Sequence, residues 1–179
     1  MASGLTYEEI NEKASEIEEG SEGLLVYPYG NGAERMFENM EPKAHIQNLN
    51  FNTHHQGHIL RATQESIAFS FKYGMEIMEQ TGINTSVIRA GYGNMFLSEV
   101  FTQTLAIIAN TTIELYNTDG AQGAARAAGY GGGFYKTRKE AFANVELIKT
   151  VKPRESKKIE VAYSNWKEGL KKIVAKNNK

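Results

Sequence analysis

"VIRAGYGNMFLSEVF", residues 87–101, decides how the rest of the chain is read. A β-branched run enters a turn carrying Gly91 and Gly93, and an amphipathic helix leaves it. Strand, glycine turn and helix is an arrangement with which α/β proteins hold phosphates and nucleotides. Glycine permits positive φ and lets a ligand approach the backbone with no Cβ in the way. A helix opening near Asn94 offers free N–H groups and a partial positive charge to an anion. Asn94 either caps that helix or turns its amide toward a purine edge. A plain tight turn is the competing reading, because the spacing Gly-x-Gly-Asn is a weak pattern.

Upstream lies the clearest helix, residues 53–82. Thr53 with Gln56 reads as a capping box, and Leu60, Ile67, Phe71, Met75 and Met78 form the expected buried stripe. Arg61, Glu65, Lys72, Glu76 and Glu79 fall on its wet face, and Gly82 stops it. "AHIQNLNF" (residues 44–51) alternates as a strand does. "GLLVYPYGNG" (residues 23–32) is a short apolar run, placed at an edge by Pro28 and closed by Gly30 and Gly32. Residues 34–42 read as an ordered loop. Near the start, Thr6 with Glu9 caps a helix over residues 6–18, ended by Gly20 and Gly23. Its stripe of Ile10, Ala14 and Ile17 is narrow enough to dock on something rather than build a core.

Downstream, residues 112–116 form another strand. Asp119 then caps the helix "GAQGAARAAG" (residues 120–129), whose small residues are expected to pack closely against the sheet. A short helix follows over residues 137–144, and Pro153 marks a boundary. "VAYSNWKEGLKKIVAK" (residues 161–176) closes the chain as an amphipathic helix anchored by Trp166. Alternating strands and helices imply an α/β layer structure with some parallel strands. The expected divisions are an N-terminal helix and linker (1–22), a main lobe (23–152) and a C-terminal helix (153–179).

The 179 residues suffice for one domain with a real core. A net charge of -1 gives no basic excess for nucleic acid or an anionic membrane. Cysteine is absent, which excludes disulfides, thiolate metal sites and a Cys nucleophile. No apolar run approaches the roughly 20 residues needed to cross a bilayer, and the N-terminus lacks the apolar core of a secretory signal. A cytoplasmic location is the expectation. Asp119 is the single aspartate, so a short carboxylate base for phosphoryl transfer has little material here.

Other motifs read as structural. His54 and His58 stand four apart, yet no Cys, Asp or suitably placed Glu completes a zinc shell; no metal ligand is assigned. "GAQGAARAAG" lacks the Gly-Lys-Ser/Thr ending of a P-loop. Tyr27, Tyr29, Tyr92, Tyr130 and Tyr135 lie near glycines and either stack on a base or serve as core and rim. No GxSxG elbow is present.

Four separated blocks carry a resemblance: "GLLVYPYGNGAER", "AHIQNLNFNTHHQGHILRATQESIAFSFKYGMEIM", "VIRAGYGNMFLSEVF" and "NTDGAQGAARAAG". In this order they resemble the C-terminal half of the FGGY-family carbohydrate kinases, most nearly the xylulose kinases. The likeness runs from about Gly20 to the end. Asn48 and Gln64 stand where the family usually has Gly and an apolar residue, and Tyr92 interrupts a turn that is commonly three glycines. The resemblance implies an actin-like ATPase (ribonuclease H-like) C-terminal lobe: a mixed sheet flanked by helices, incomplete without upstream strands. It implies ATP with Mg in a cleft between two lobes, and a nucleotide seat at Gly91, Tyr92, Gly93 and Asn94, with Asn94 toward the adenine. The sugar site and the general-base aspartate would belong to an N-terminal lobe, so no catalytic residue is assigned to this chain.

Two functions follow. One is the ATP-binding lobe of a sugar kinase, D-xylulose being the expected acceptor, inactive alone and completed by the N-terminal lobe or by self-association. The other is a non-catalytic binding or assembly module that keeps the fold without nucleotide affinity. A dinucleotide-binding domain ranks below both, since no acidic residue follows a full GxGxxG at the usual distance of about 20 residues.

Overall fold

The computed structural model describes residues 4–31 and 35–177; Gly32 and Glu34, read above as part of a turn and loop, lie outside them. The elements run α1 (Tyr7–Ser15), β1 (Leu25–Tyr29), β2 (Lys43–Gln47), α2 (Gln56–Gln80), β3 (Val87–Gly91), α3 (Glu99–Ala109), β4 (Thr112–Tyr116), α4 (Gly120–Gly131), α5 (Arg138–Ala141), β5 (Leu147–Val151) and α6 (Lys157–Asn177). β1 and β2 form an antiparallel ribbon in which Pro28 faces Ala44. A second sheet has the order β3-β4-β5, with β3 parallel and β5 antiparallel to β4. β5 was not evident in the sequence, because "LIKTV" alternates for too few residues before Pro153.

α2 is the central element, and both main core clusters touch it. Phe69 packs with Tyr27 and Tyr29 of β1 and with Ile159, Trp166 and Leu170 of α6. Trp166 is fully buried, stacks on Tyr27 at 5.7 Å, and donates its indole N–H to the Val26 carbonyl at 2.9 Å. Ala68 packs instead with Phe101 and Leu105 of α3 and with Ile113, Leu115 and Val151 of the three-stranded sheet. Ala14 near the start and Ile159, Trp166 and Leu170 near the end thus sit in core clusters with residues of the 23–152 segment. Ala14, for example, packs against Leu60 and Val100. Among the described residues, no helix is long and apolar enough to cross a membrane.

The expected wet face of α2 needs correction. Arg61 and Glu65 are buried, at 7% and 2% exposure, and Phe71 and Met78 of the expected buried stripe are half-exposed. Arg61 Nε meets Glu65 Oε1 at 2.7 Å, and its Nη1 donates to the carbonyl of Ile17 at 2.6 Å. Glu65 also accepts from the Gly20 amide and the Ser21 hydroxyl, each at 3.0 Å. Burial pushes the Glu65 carboxyl up, while Arg61 and the donated hydrogen bonds pull it back. Removing one partner from a buried pair strands the other charge at a cost of about 3–5 kcal/mol. Glu65→Ala is accordingly expected to lower the unfolding free energy in urea by about that amount.

The α2 cap also differs. Its N-cap is His55, not Thr53: His55 Nδ1 accepts from the Gly57 amide and His58 Nδ1 accepts from the His55 amide, both at 3.2 Å. Each contact needs an unprotonated Nδ1. Burial, then the neighbouring His55, depresses the His58 pKa below 6.5, with Glu22 opposing. The unfolded chain therefore takes up this proton first, and stability falls as pH drops below about 6.5 toward the depressed native value. His58→Gln retains a capping acceptor and is expected to flatten the stability profile between pH 7 and 5 in denaturant titrations.

Candidate functional site

β3 and β4 are parallel and end side by side, with Gly91 opposite Tyr116. Ligands of α/β sheets collect beyond such carboxyl ends. The chain leaves β3 through residues 92–94, pinned by the Tyr92 amide on the Tyr116 carbonyl at 2.8 Å and the Gly93 amide on the Gly91 carbonyl at 2.9 Å. The four residues are therefore together, but they have unlike roles. A Cβ on Gly91 would lie 2.2 Å from the Thr118 carbonyl oxygen, so this glycine lets β3 pass the turn after β4. Gly93 is extended, and a Cβ there would meet nothing within 4 Å. Tyr92 is half-exposed, and Asn94 sits in the left-handed region at φ 51°.

The helix does not open at Asn94. Residues Asn94–Leu97 make a single 3-10 turn, and α3 begins at Glu99. Ser98 is its cap, accepting from the Phe101 amide at 3.1 Å. Asn94 is thus free of the capping role that the sequence allowed it. The local signal for this cap is Ser98 followed by Glu99, a capping hydroxyl with an acid in the first turn, which competes with Asn94 four residues earlier.

Two clefts flank this turn. One, of about 440 Å³, is lined by Arg89, Gly91, Tyr116, Thr118, Phe142 and Val145. Two of these residues share a partner: Glu114 accepts from the Tyr116 hydroxyl and from Arg89 Nε, both at 2.8 Å. The Tyr116 hydrogen bond, then Arg89, holds the Glu114 carboxyl below the ordinary range. The other cleft, of about 920 Å³, lies between α1 and residues 92–100, with Tyr7, Asn11, Tyr92, Leu97 and Val100 among its walls. Tyr7 was not singled out in the sequence: it stands 87 residues from Asn94, to whose carbonyl its hydroxyl donates at 2.9 Å.

The remaining candidates are structural. Asp119 caps α4 by accepting from the Gln122 amide at 2.7 Å. His54 accepts from the Asn50 amide at 3.1 Å, as His55 and His58 accept at the α2 cap. The small-residue helix α4 does not pack against the sheet: none of its residues is buried, and it rests on α5. Its Gly129 makes room for the Tyr135 ring, which a Cβ would meet at 2.8 Å.

Residues 2–132 match the family described as "FGGY family of carbohydrate kinases, C-terminal domain". The chain belongs to this family. Among FGGY relatives, the xylulose kinase of Haemophilus influenzae is 31% identical over 106 residues, covering 59% of this chain and 21% of that protein. The glycerol kinase of Haloferax volcanii is 30% identical over 166 residues, covering 89% of this chain and 32% of that protein. The chain therefore spans about a third or less of these relatives. The fold is that of the actin-like sugar kinases. The ligand-bound xylulose kinase of Lactobacillus acidophilus superposes with a TM-score of 0.78 at 18% identity, over 97% of this chain and 36% of that one. The Plasmodium falciparum glycerol kinase with ADP gives 0.74 at 23%, over 94% and 34%.

The two glycines separate experimentally. Gly91→Ala forces a backbone clash and is expected to cost about 1–3 kcal/mol in chemical denaturation. Gly93→Ala, with open space around it, is expected to cost under about 1 kcal/mol.

Proposed function

We propose that this chain is the nucleotide-side lobe of an ATP-dependent carbohydrate kinase, and that residues 91–94 seat the adenosine of ATP. The observation that carries this reading is the turn itself. It stands at the carboxyl ends of two parallel strands, with open space in front of Gly93 and an Asn94 that caps no helix. The ADP that accompanies the Plasmodium falciparum glycerol kinase, a protein of the same fold, supports it. In the whole enzyme the lobe positions ATP and closes over it, excluding water so that a sugar hydroxyl accepts the γ-phosphate. D-xylulose is the proposed acceptor, supported by the Haemophilus influenzae relative, and glycerol is the competitor raised by the Haloferax volcanii one.

Magnesium is proposed to arrive with the nucleotide. Among the described residues no group of three His, Asp or Glu is placed to hold it, and no step is assigned to it. The acceptor, its base and the metal's ligands are assigned to an N-terminal lobe. Such a lobe, or a second copy of this chain, would also cover the edge of β3 that pairs with no described strand and the half-exposed Phe71, Met78 and Ile83. The proposed setting is the cytoplasm.

A second reading is a non-catalytic module with the fold and no nucleotide affinity, favoured by Tyr92 within the glycine turn. Calorimetry with ADP separates the two. Weak saturable binding, lowered at least about tenfold by Asn94→Gly, is expected on the kinase reading; this variant keeps the left-handed backbone and removes the amide. Silence from the unmodified chain supports the second reading. The chain alone is expected to phosphorylate neither sugar in a coupled assay, and turnover would refute the assignment of the base to another lobe.

A further inference from the structure

We propose that Tyr7 is a positioning residue for the nucleotide turn, setting the direction of the Asn94 side chain through that residue's own carbonyl; the inference rests on the kinase-lobe reading above. Asn94 holds φ 51°, a left-handed conformation that asparagine adopts more readily than other non-glycine residues and that local contacts stabilise further. The Tyr7 hydroxyl supplies such a contact, donating to the Asn94 carbonyl at 2.9 Å and lying 3.5 Å from Met95 Sδ. Partial burial raises the Tyr7 pKa above its ordinary value, so the phenol remains a donor at any working pH.

The donor is itself held at a fixed distance from the turn. Tyr7 is the first residue of α1, and the hold comes from farther along that helix. One turn on, Asn11 Oδ1 accepts from Gln64 Nε2 at 3.0 Å, and Gln64 Oε1 accepts from Ser98 Oγ at 2.6 Å. Ser98 ends the 3-10 turn that Asn94 begins. α1 is therefore joined to both ends of the segment 94–98, directly at one end and through buried Gln64 at the other. With its carbonyl held by Tyr7, the peptide after Asn94 is restrained, and the Cα–Cβ bond that carries the side-chain amide leaves the turn in one direction before ligand arrives. This preorganisation lowers the ordering cost of binding.

The test measures ADP affinity by calorimetry and the thermal midpoint for the unmodified chain, Tyr7→Phe, Thr6→Ala and Asn94→Gly. Tyr7→Phe removes one hydroxyl and is expected to weaken ADP about 3- to 10-fold, the range of one lost hydrogen bond. In its ¹H–¹⁵N spectrum, shifts are expected at residues 93–96 and not in α6. Thr6→Ala loosens the α1 cap but keeps the phenol, so it is expected to lower the midpoint and leave ADP affinity within about twofold. Two results overturn the positioning role while the seat stands: Tyr7→Phe binding ADP normally when Asn94→Gly does not, or Thr6→Ala weakening ADP as much as Tyr7→Phe. If the unmodified chain binds no ADP, the seat fails and the role of Tyr7 with it.

Discussion

The buried pair of Arg61 and Glu65 is the constraint on which the rest of the arrangement depends. A guanidinium and a carboxylate withdrawn from water are tolerated only where nearly every donor and acceptor is matched. Here the matching groups come from elsewhere in the chain: carbonyls of Ala14 and Ile17, the Gly20 amide and the Ser21 hydroxyl. α2 thereby fixes the end of α1 and the turn that leads into β1. This network stabilises little more than an apolar packing would. Its consequence is register, since a slip of residues 14–21 along α2 would break these hydrogen bonds.

That register reaches the site. These contacts, with that of Asn11 on Gln64, hold α1 along α2 where Tyr7 stands beside Asn94. Gln64, one residue before Glu65 on α2, joins Asn11 to the cap of α3. An apolar residue at position 64 would pack in the same space and leave Ser98 and Asn11 without these partners. Gln64 is thus integrated into the structure as the bridge between α1 and the α3 cap. The sheet provides the complementary part, since parallel β3 and β4 end together and Gly91 passes Thr118 closely enough to exclude any side chain.

Outside this frame the molecule is less enclosed. α4 buries nothing, and its Gly129 serves Tyr135 rather than the sheet. Small residues on a helix permit close approach, but they do not name what approaches. The same holds for the Gly91–Gly93 pair. Spacing alone suggested two equivalent openings for a ligand, whereas one glycine is required by a neighbouring backbone and the other faces open space.

What the sequence determined by itself was whatever is written in local periodicity and capping: the α/β class, the cap of Thr6 and Glu9, the strands around residues 25–29, 43–47, 87–91 and 112–116, and the anchoring Trp166. Together with four motif blocks in order, it also carried the resemblance to FGGY kinases, which the family match bears out. Tertiary structure alone decided that Arg61 and Glu65 go inside, that His55 and Ser98 are the caps, that residues 147–151 pair with β4, and that Tyr7 meets Asn94. The reason is common to all four. Each depends on atoms supplied by residues distant in sequence or on competition between neighbouring caps. A helical wheel counts a charged side chain as wet because it cannot see the carbonyls that will surround it.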